Sequence, residues 1–184
     1  MRMLFPHPCH AGRFNNERGV QMKKIYLATC GEILRGESSR GFNPPLTAMG
    51  TSQIVAVRNN LVPKIPKPPL VVVGTGTRFI ETYLALAPAF PSVPVRRSLF
   101  CGCGDCLQKD DKVATVNGCV PVNEYIGLID TPGFNPWLFI DNWPAGTLFC
   151  TGGELLIALE RRDLYKDGAL IEIDLETTCG HQIT

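Results

Sequence analysis

Cys30 and Thr151 close two similar segments, and the residues around each could hold an anion. Lys24-Ile25-Tyr26-Leu27-Ala28-Thr29-Cys30-Gly31-Glu32 is an apolar run that stops on small residues and a glycine. Thr147-Leu148-Phe149-Cys150-Thr151-Gly152-Gly153-Glu154 repeats the arrangement and leads into the helical run Leu155 to Leu159. A strand that stops in this way presents backbone N–H groups at the carboxyl edge of a sheet, where open α/β sheets bind ligands. Two such tips imply one shared pocket. A third apolar run, Leu70 to Val73, is followed by Gly74-Thr75-Gly76-Thr77-Arg78. Arg78 could supply a guanidinium to an anion. Thr75, Thr77 and Thr151 could supply hydroxyls, although such residues are equally ordinary in turns and caps.

The chain has eight cysteines. A Cys30 thiol beside a cation and a helix N-terminus would have a lowered pKa and be nucleophilic. Cys101-Gly102-Cys103-Gly104-Asp105-Cys106 puts three thiols within reach of one zinc ion, with Cys119 as a fourth ligand. That spacing differs from paired Cys-x-x-Cys knuckles, and reduced loop thiols or a redox-sensitive pair fit it as well. His7, Cys9 and His10 could bind a metal adventitiously. No export signal is recognisable, so the cysteines are expected to be reduced. Cys150 and Cys119 also read as small buried hydrophobes.

The elements that must position these residues alternate along the chain. A length of 184 residues suits one domain, expected over 22–184, after a leader over 1–21 that is expected to be disordered or non-native. Apolar content of 45%, charged content of 19% and a net charge of +1 describe an ordinary soluble protein. Nothing in that balance favours nucleic acid or an anionic membrane as partner. No apolar run approaches the ~20 residues of a membrane span, and a cytoplasmic location is expected. Strands are predicted at Lys24 to Ala28, Leu70 to Val73, Val93 to Val95, Thr147 to Cys150 and Ala169 to Leu175. Helices are predicted after the N-cap Thr47, over Arg78 to Ala87, Val122 to Ile129 and Glu154 to Arg162. Residues 101–118 carry no clear pattern. Trp137, Leu138, Phe139 and Trp143 are expected in the core. The alternation argues for a layered α/β domain around a mostly parallel sheet.

Four fragments in this order resemble the histidine phosphatase superfamily, which includes phosphoglycerate mutases and phosphohistidine phosphatases. Tyr26-Leu27-Ala28-Thr29-Cys30-Gly31-Glu32 is similar to its opening Leu-x-Arg-His-Gly-Glu. Pro45-Leu46-Thr47-Ala48-Met49-Gly50, with Gln53, resembles its Pro-Leu-Thr-x-x-Gly helix start. Val73-Gly74-Thr75-Gly76-Thr77-Arg78, with Thr82, resembles Ser-x-x-x-Arg-Ala-x-x-Thr. Phe149-Cys150-Thr151-Gly152-Gly153 resembles Val-Ser-His-Gly-Gly. The resemblance runs from Lys24 to about Leu175. It implies a three-layer α/β/α sandwich.

The departures bear on function. The family's chemistry uses an Arg-His pair, a second Arg and a second His. The first His attacks phosphorus, and the other groups hold the phosphoryl oxygens. At those positions this chain has Thr29, Cys30, Arg78 and Thr151, so only Arg78 is kept. The family's general acid has no clean match; Asp105 is the nearest candidate and Glu124 a weaker one. Loss of the nucleophile and two charge-stabilising groups should abolish phosphotransfer. The resemblance thus implies a pseudoenzyme whose Thr29, Gly31, Arg78, Thr151 and Gly152 bind a phosphorylated small molecule or protein partner. It implies no cofactor. Two alternatives stay open. One is a live phosphatase with Cys30 as nucleophile, although cysteine phosphatases place an Arg six positions after the Cys and here Arg35 is five positions on. The other is a zinc or redox module at Cys101 to Cys106.

Overall fold

The computed structural model describes residues 23–34, 44–98, 112–115, 118–121 and 136–184. Its main sheet has six strands: β1 (Lys24–Thr29), β2 (Val71–Val73), β3 (Val95–Arg97), β6 (Leu148–Thr151), β7 (Leu170–Asp174) and β8 (Gly180–Gln182). Their order across the sheet is β3-β2-β6-β1-β7-β8. The pairs β3/β2, β2/β6 and β6/β1 are parallel, and β7 runs antiparallel to both β1 and β8. Two further strands, β4 (Lys112–Thr115) and β5 (Gly118–Pro121), form a separate antiparallel pair.

β1, β2 and β6 read as nearly continuous apolar runs because both of their faces are covered. Alternate residues feed two cores. Tyr26, Ala28, Val71, Val73, Leu148 and Cys150 pack with Ile54 and Val57 of α1 (Ala48–Asn60) and Phe79 and Leu86 of α2 (Thr77–Leu86). Ile25, Leu27, Val72 and Phe149 pack on the opposite face with Ile140 of α3 (Pro136–Asp141) and Leu155 and Leu156 of α4 (Gly153–Ala158). The result is a three-layer α/β/α sandwich.

Several elements differ from the sequence expectation. The third strand lies later, at Val95–Arg97, in register with Val71 to Val73. The proline-broken stretch before β6 contains α3. Trp143 docks there edge-on to Phe139 at 6.1 Å and to Phe149 at 6.2 Å, while Leu138 stays 61% exposed rather than joining the core. α4 stops at Ala158 because Glu160 takes a left-handed conformation (φ 57°) and the Arg161 N–H donates to Leu156 O at 2.7 Å. This is a helix stop without the glycine that usually announces one. β8 adds an edge strand beyond the last one expected. Cys30 and Cys150 are free thiols, whereas Cys179 is disulfide-bonded, against the expectation of reduced cysteines throughout. Among the described residues no helix is long and apolar enough to cross a membrane.

Candidate functional site

The four parallel strands end on one edge, and the three tips singled out in sequence lie side by side there. Thr29 of β1 is in register with Thr151 of β6, and the Cys30 N–H donates to Thr151 O at 3.0 Å. On the other side of β6, the Gly74 N–H donates to Cys150 O at 3.0 Å. The turn Gly74 to Gly76 and the start of α2 therefore adjoin the β6 tip, with Cys30 on its other flank. Thr29, Cys30, Thr75, Arg78, Thr151, Gly31 and Gly152 are all buried.

The start of α1 holds the β1 tip in place. Thr47 caps the helix, with the Gly50 N–H donating to its Oγ1 at 2.9 Å. The Thr47 hydroxyl donates to the Glu32 carboxylate at 2.7 Å, and the Glu32 N–H donates to Gln53 Oε1 at 2.8 Å. The two backbones touch. A Cβ on Gly31 would lie 2.3 Å from Gly50 O, and one on Gly50 would lie 2.1 Å from Glu32 O. The glycines of the two motifs therefore stand where any side chain would drive the turn and the helix apart. In α2, the Thr82 hydroxyl donates to Arg78 O at 2.7 Å within the helix.

Thr29 is committed to the sheet. Its hydroxyl donates to Lys166 O at 2.5 Å and accepts the Ala169 N–H at 2.8 Å, and its own N–H donates to Ala169 O at 3.0 Å. The Cys30 carbonyl accepts the Gly168 N–H at 2.9 Å. The Cys30 side chain is 3% exposed and packs in the α1/α2 core beside Ala28 and Cys150. Burial pushes the Cys150 thiol up to about 12, with the Arg97 charge opposing the shift, so Cys150 stays a neutral core residue. The Arg78 guanidinium lies 4.5 Å over the Phe79 ring. The Thr75 Oγ1 is buried and has no hydrogen-bond partner among the described residues. An unpartnered buried hydroxyl is costly unless something else completes it.

Histidine chemistry has few sources in this chain, whose three histidines are His7, His10 and His181. His181 is exposed on β8, opposite Glu172, which in turn faces Tyr26 near the start of β1. It is two strands from β1 and away from the carboxyl edge. Asp105, Glu124, Cys101, Cys103, Cys106 and the 1–21 leader with His7, Cys9 and His10 lie outside the described residues. The backbone of Cys119 is in β5. Among the described residues no three His, Cys, Asp or Glu side chains gather where they could hold a metal.

One residue at this edge escaped the sequence reading. Arg97 ends β3 opposite Val73, and its Nη1 donates to Gly74 O across 3.4 Å. Extending the third strand by two residues and setting it parallel to β2 would have brought it to the edge.

No protein-family model and no curated protein matches the chain in sequence. Solved structures do match in fold. A putative phosphohistidine phosphatase SixA from Agrobacterium tumefaciens superposes with a TM-score of 0.53 at 14% identity, covering 83% of this chain and 92% of its own. TTHB049 from Thermus thermophilus gives 0.55 at 15%, covering 88% and 99%. A protein described as mycobacterial hydrolase 1 gives 0.53 at 14%, covering 88% and 97%.

Proposed function

We propose that this chain, which has the histidine phosphatase fold, binds a phosphorylated small molecule or the phosphoryl group of a protein partner and does not transfer it. The observation that carries this reading is the convergence of the β1, β2 and β6 tips on one edge where Arg78 is present and, among the described residues, no imidazole is. A phosphoryl group needs donors and positive charge to be held, and the edge offers the α2 N-terminus, Arg78 and the Thr75 hydroxyl. Transfer also needs a nucleophile and charge stabilisation in the transition state. Cys30 stands at the nucleophile's position but is packed in the core, and Thr29 spends its hydroxyl on the loop before β7. His181 is too far across the sheet to substitute.

One solved structure of this fold is described as a putative phosphohistidine phosphatase, which favours a phosphoryl ligand. The zinc or redox reading concerns Cys101 to Cys106, which lie outside the described residues, and the binding proposed here calls for no cofactor. Calorimetric titration with phenyl phosphate tests the reading. Wild-type protein should bind, Arg78→Ala should bind about tenfold or more weakly, as expected for losing charge-assisted hydrogen bonds, and Cys30→Ser should bind as wild type. Absence of binding by the wild-type protein would refute it.

A further inference from the structure

Resting on that phosphoryl-binding reading, we infer that the anion sits toward the β2–β3 side of the edge, with Arg97 as the second cation beside Arg78. The β1 tip contributes little. The Thr29 hydroxyl already bonds Lys166 O and the Ala169 N–H, so it has little left to offer a ligand. Positive charge instead borders the other side of β6. Val73 and Arg97 are opposite one another at the ends of β2 and β3. The Arg97 guanidinium reaches Gly74 O, one residue before Thr75. Its field is felt at the Cys150 thiol, inside the sheet at the same edge. The buried Thr75 Oγ1, with no partner among the described residues, lies in the turn from β2 to α2, next to the Gly74 whose carbonyl accepts from Arg97 and in the same turn that leads to Arg78.

Over residues 44–98 the ionised groups are Arg58, Lys64, Lys67, Arg78, Arg96 and Arg97 against Glu81 alone. Over residues 136–184, eight carboxylates outnumber three Lys and Arg. The formal net charge of +1 conceals this division. Of the cations over residues 44–98, Arg78 and Arg97 belong to the carboxyl edge, whereas Arg58 is in the last turn of α1 and Lys64 and Lys67 precede β2, at the opposite edge. Two guanidiniums at one edge suit a doubly charged anion. The ligand class is therefore a phosphate monoester or terminal phosphoryl dianion, held by two guanidiniums, rather than a singly charged diester.

The test is titration of phenyl phosphate, and of diphenyl phosphate as the monoanionic control, into wild type, Arg97→Gln, Arg97→Lys and Arg78→Ala. The inference predicts that Arg97→Gln weakens phenyl phosphate about tenfold and lessens the salt dependence of binding, with Arg97→Lys recovering part of the loss. Diphenyl phosphate should bind more weakly than the monoester and change little with Arg97→Gln. Arg97 is exposed, so Arg97→Gln should melt with the wild type. If Arg97→Gln binds as wild type while Arg78→Ala loses affinity, this inference is overturned and the binding reading stands. If wild type binds neither ligand, both fall.

Discussion

The turn from β1 into α1 and the tips of β1 and β6 lie next to each other, yet they carry very different residues. The first region has the residues that resemble the histidine phosphatase motifs: Gly31, Glu32, Thr47, Gly50 and Gln53. Each has a visible task, as cap, acceptor or point of backbone contact. The second region has Thr29, whose hydroxyl bonds the loop before β7, Cys30, which packs in the core, and Thr151, whose backbone pairs with the β1 tip. On the proposed reading, the demands of packing and those of phosphotransfer separate in this fold. Residues that hold the site's walls together are required by geometry whatever the site does. Those aimed at phosphorus are required only by the reaction.

The largest effect should come from the packing region. Gly50→Ala puts a Cβ against the Glu32 carbonyl and should cost about 3 kcal/mol or prevent folding, since backbone cannot easily give way. Urea denaturation measures it; a variant as stable as wild type would mean that the turn and helix are not in contact.

A smaller loss separates the two views of Thr29. Thr29→Val keeps the shape and removes the hydroxyl, leaving the Lys166 carbonyl and Ala169 N–H short of a partner. The expected cost is about 2 kcal/mol in urea denaturation, with phenyl phosphate affinity unchanged. Loss of affinity with stability intact would return Thr29 to the ligand site and erase the contrast between the regions.

The scaffold was legible because its requirements are local. An apolar run ending on glycine, a Thr-x-x-Gly helix start and alternating strands and helices can all be read in order along the chain. The meeting of the Cys30 and Thr151 tips was expected from two apolar runs that each stop on small residues and glycine, whereas the place of β6 between β1 and β2 has no mark in the sequence. What stayed hidden depends on partners distant in sequence. Thr29 bonds residues far along the chain at Lys166 and Ala169, and nothing around Thr29 announces them. α3 was hidden because its prolines read as breakers, although Pro136 sits at its start, where a missing N–H does no harm. Arg97 was missed because a three-residue strand with every side chain exposed has no hydrophobic alternation to mark its register.

A last effect, confined to alkaline pH, concerns Cys150, beside the β6 tip. Its pKa is pushed from 9.0 up to about 12 by burial, so the folded protein holds this proton more tightly than the unfolded chain. The resulting stability is present below pH 9 and is lost as pH rises toward 12. Replacing the thiol by Cys150→Val should make the urea midpoint fall less over that range than in wild type. An equal fall in both proteins would mean that Cys150 is not sealed in the core.

Hydrolysis of para-nitrophenyl phosphate, followed for wild type and Arg78→Ala under identical conditions, tests the separation of scaffold from chemistry most directly. The account predicts that both release nitrophenolate no faster than buffer. A wild-type rate well above buffer that disappears with Arg78→Ala would contradict it.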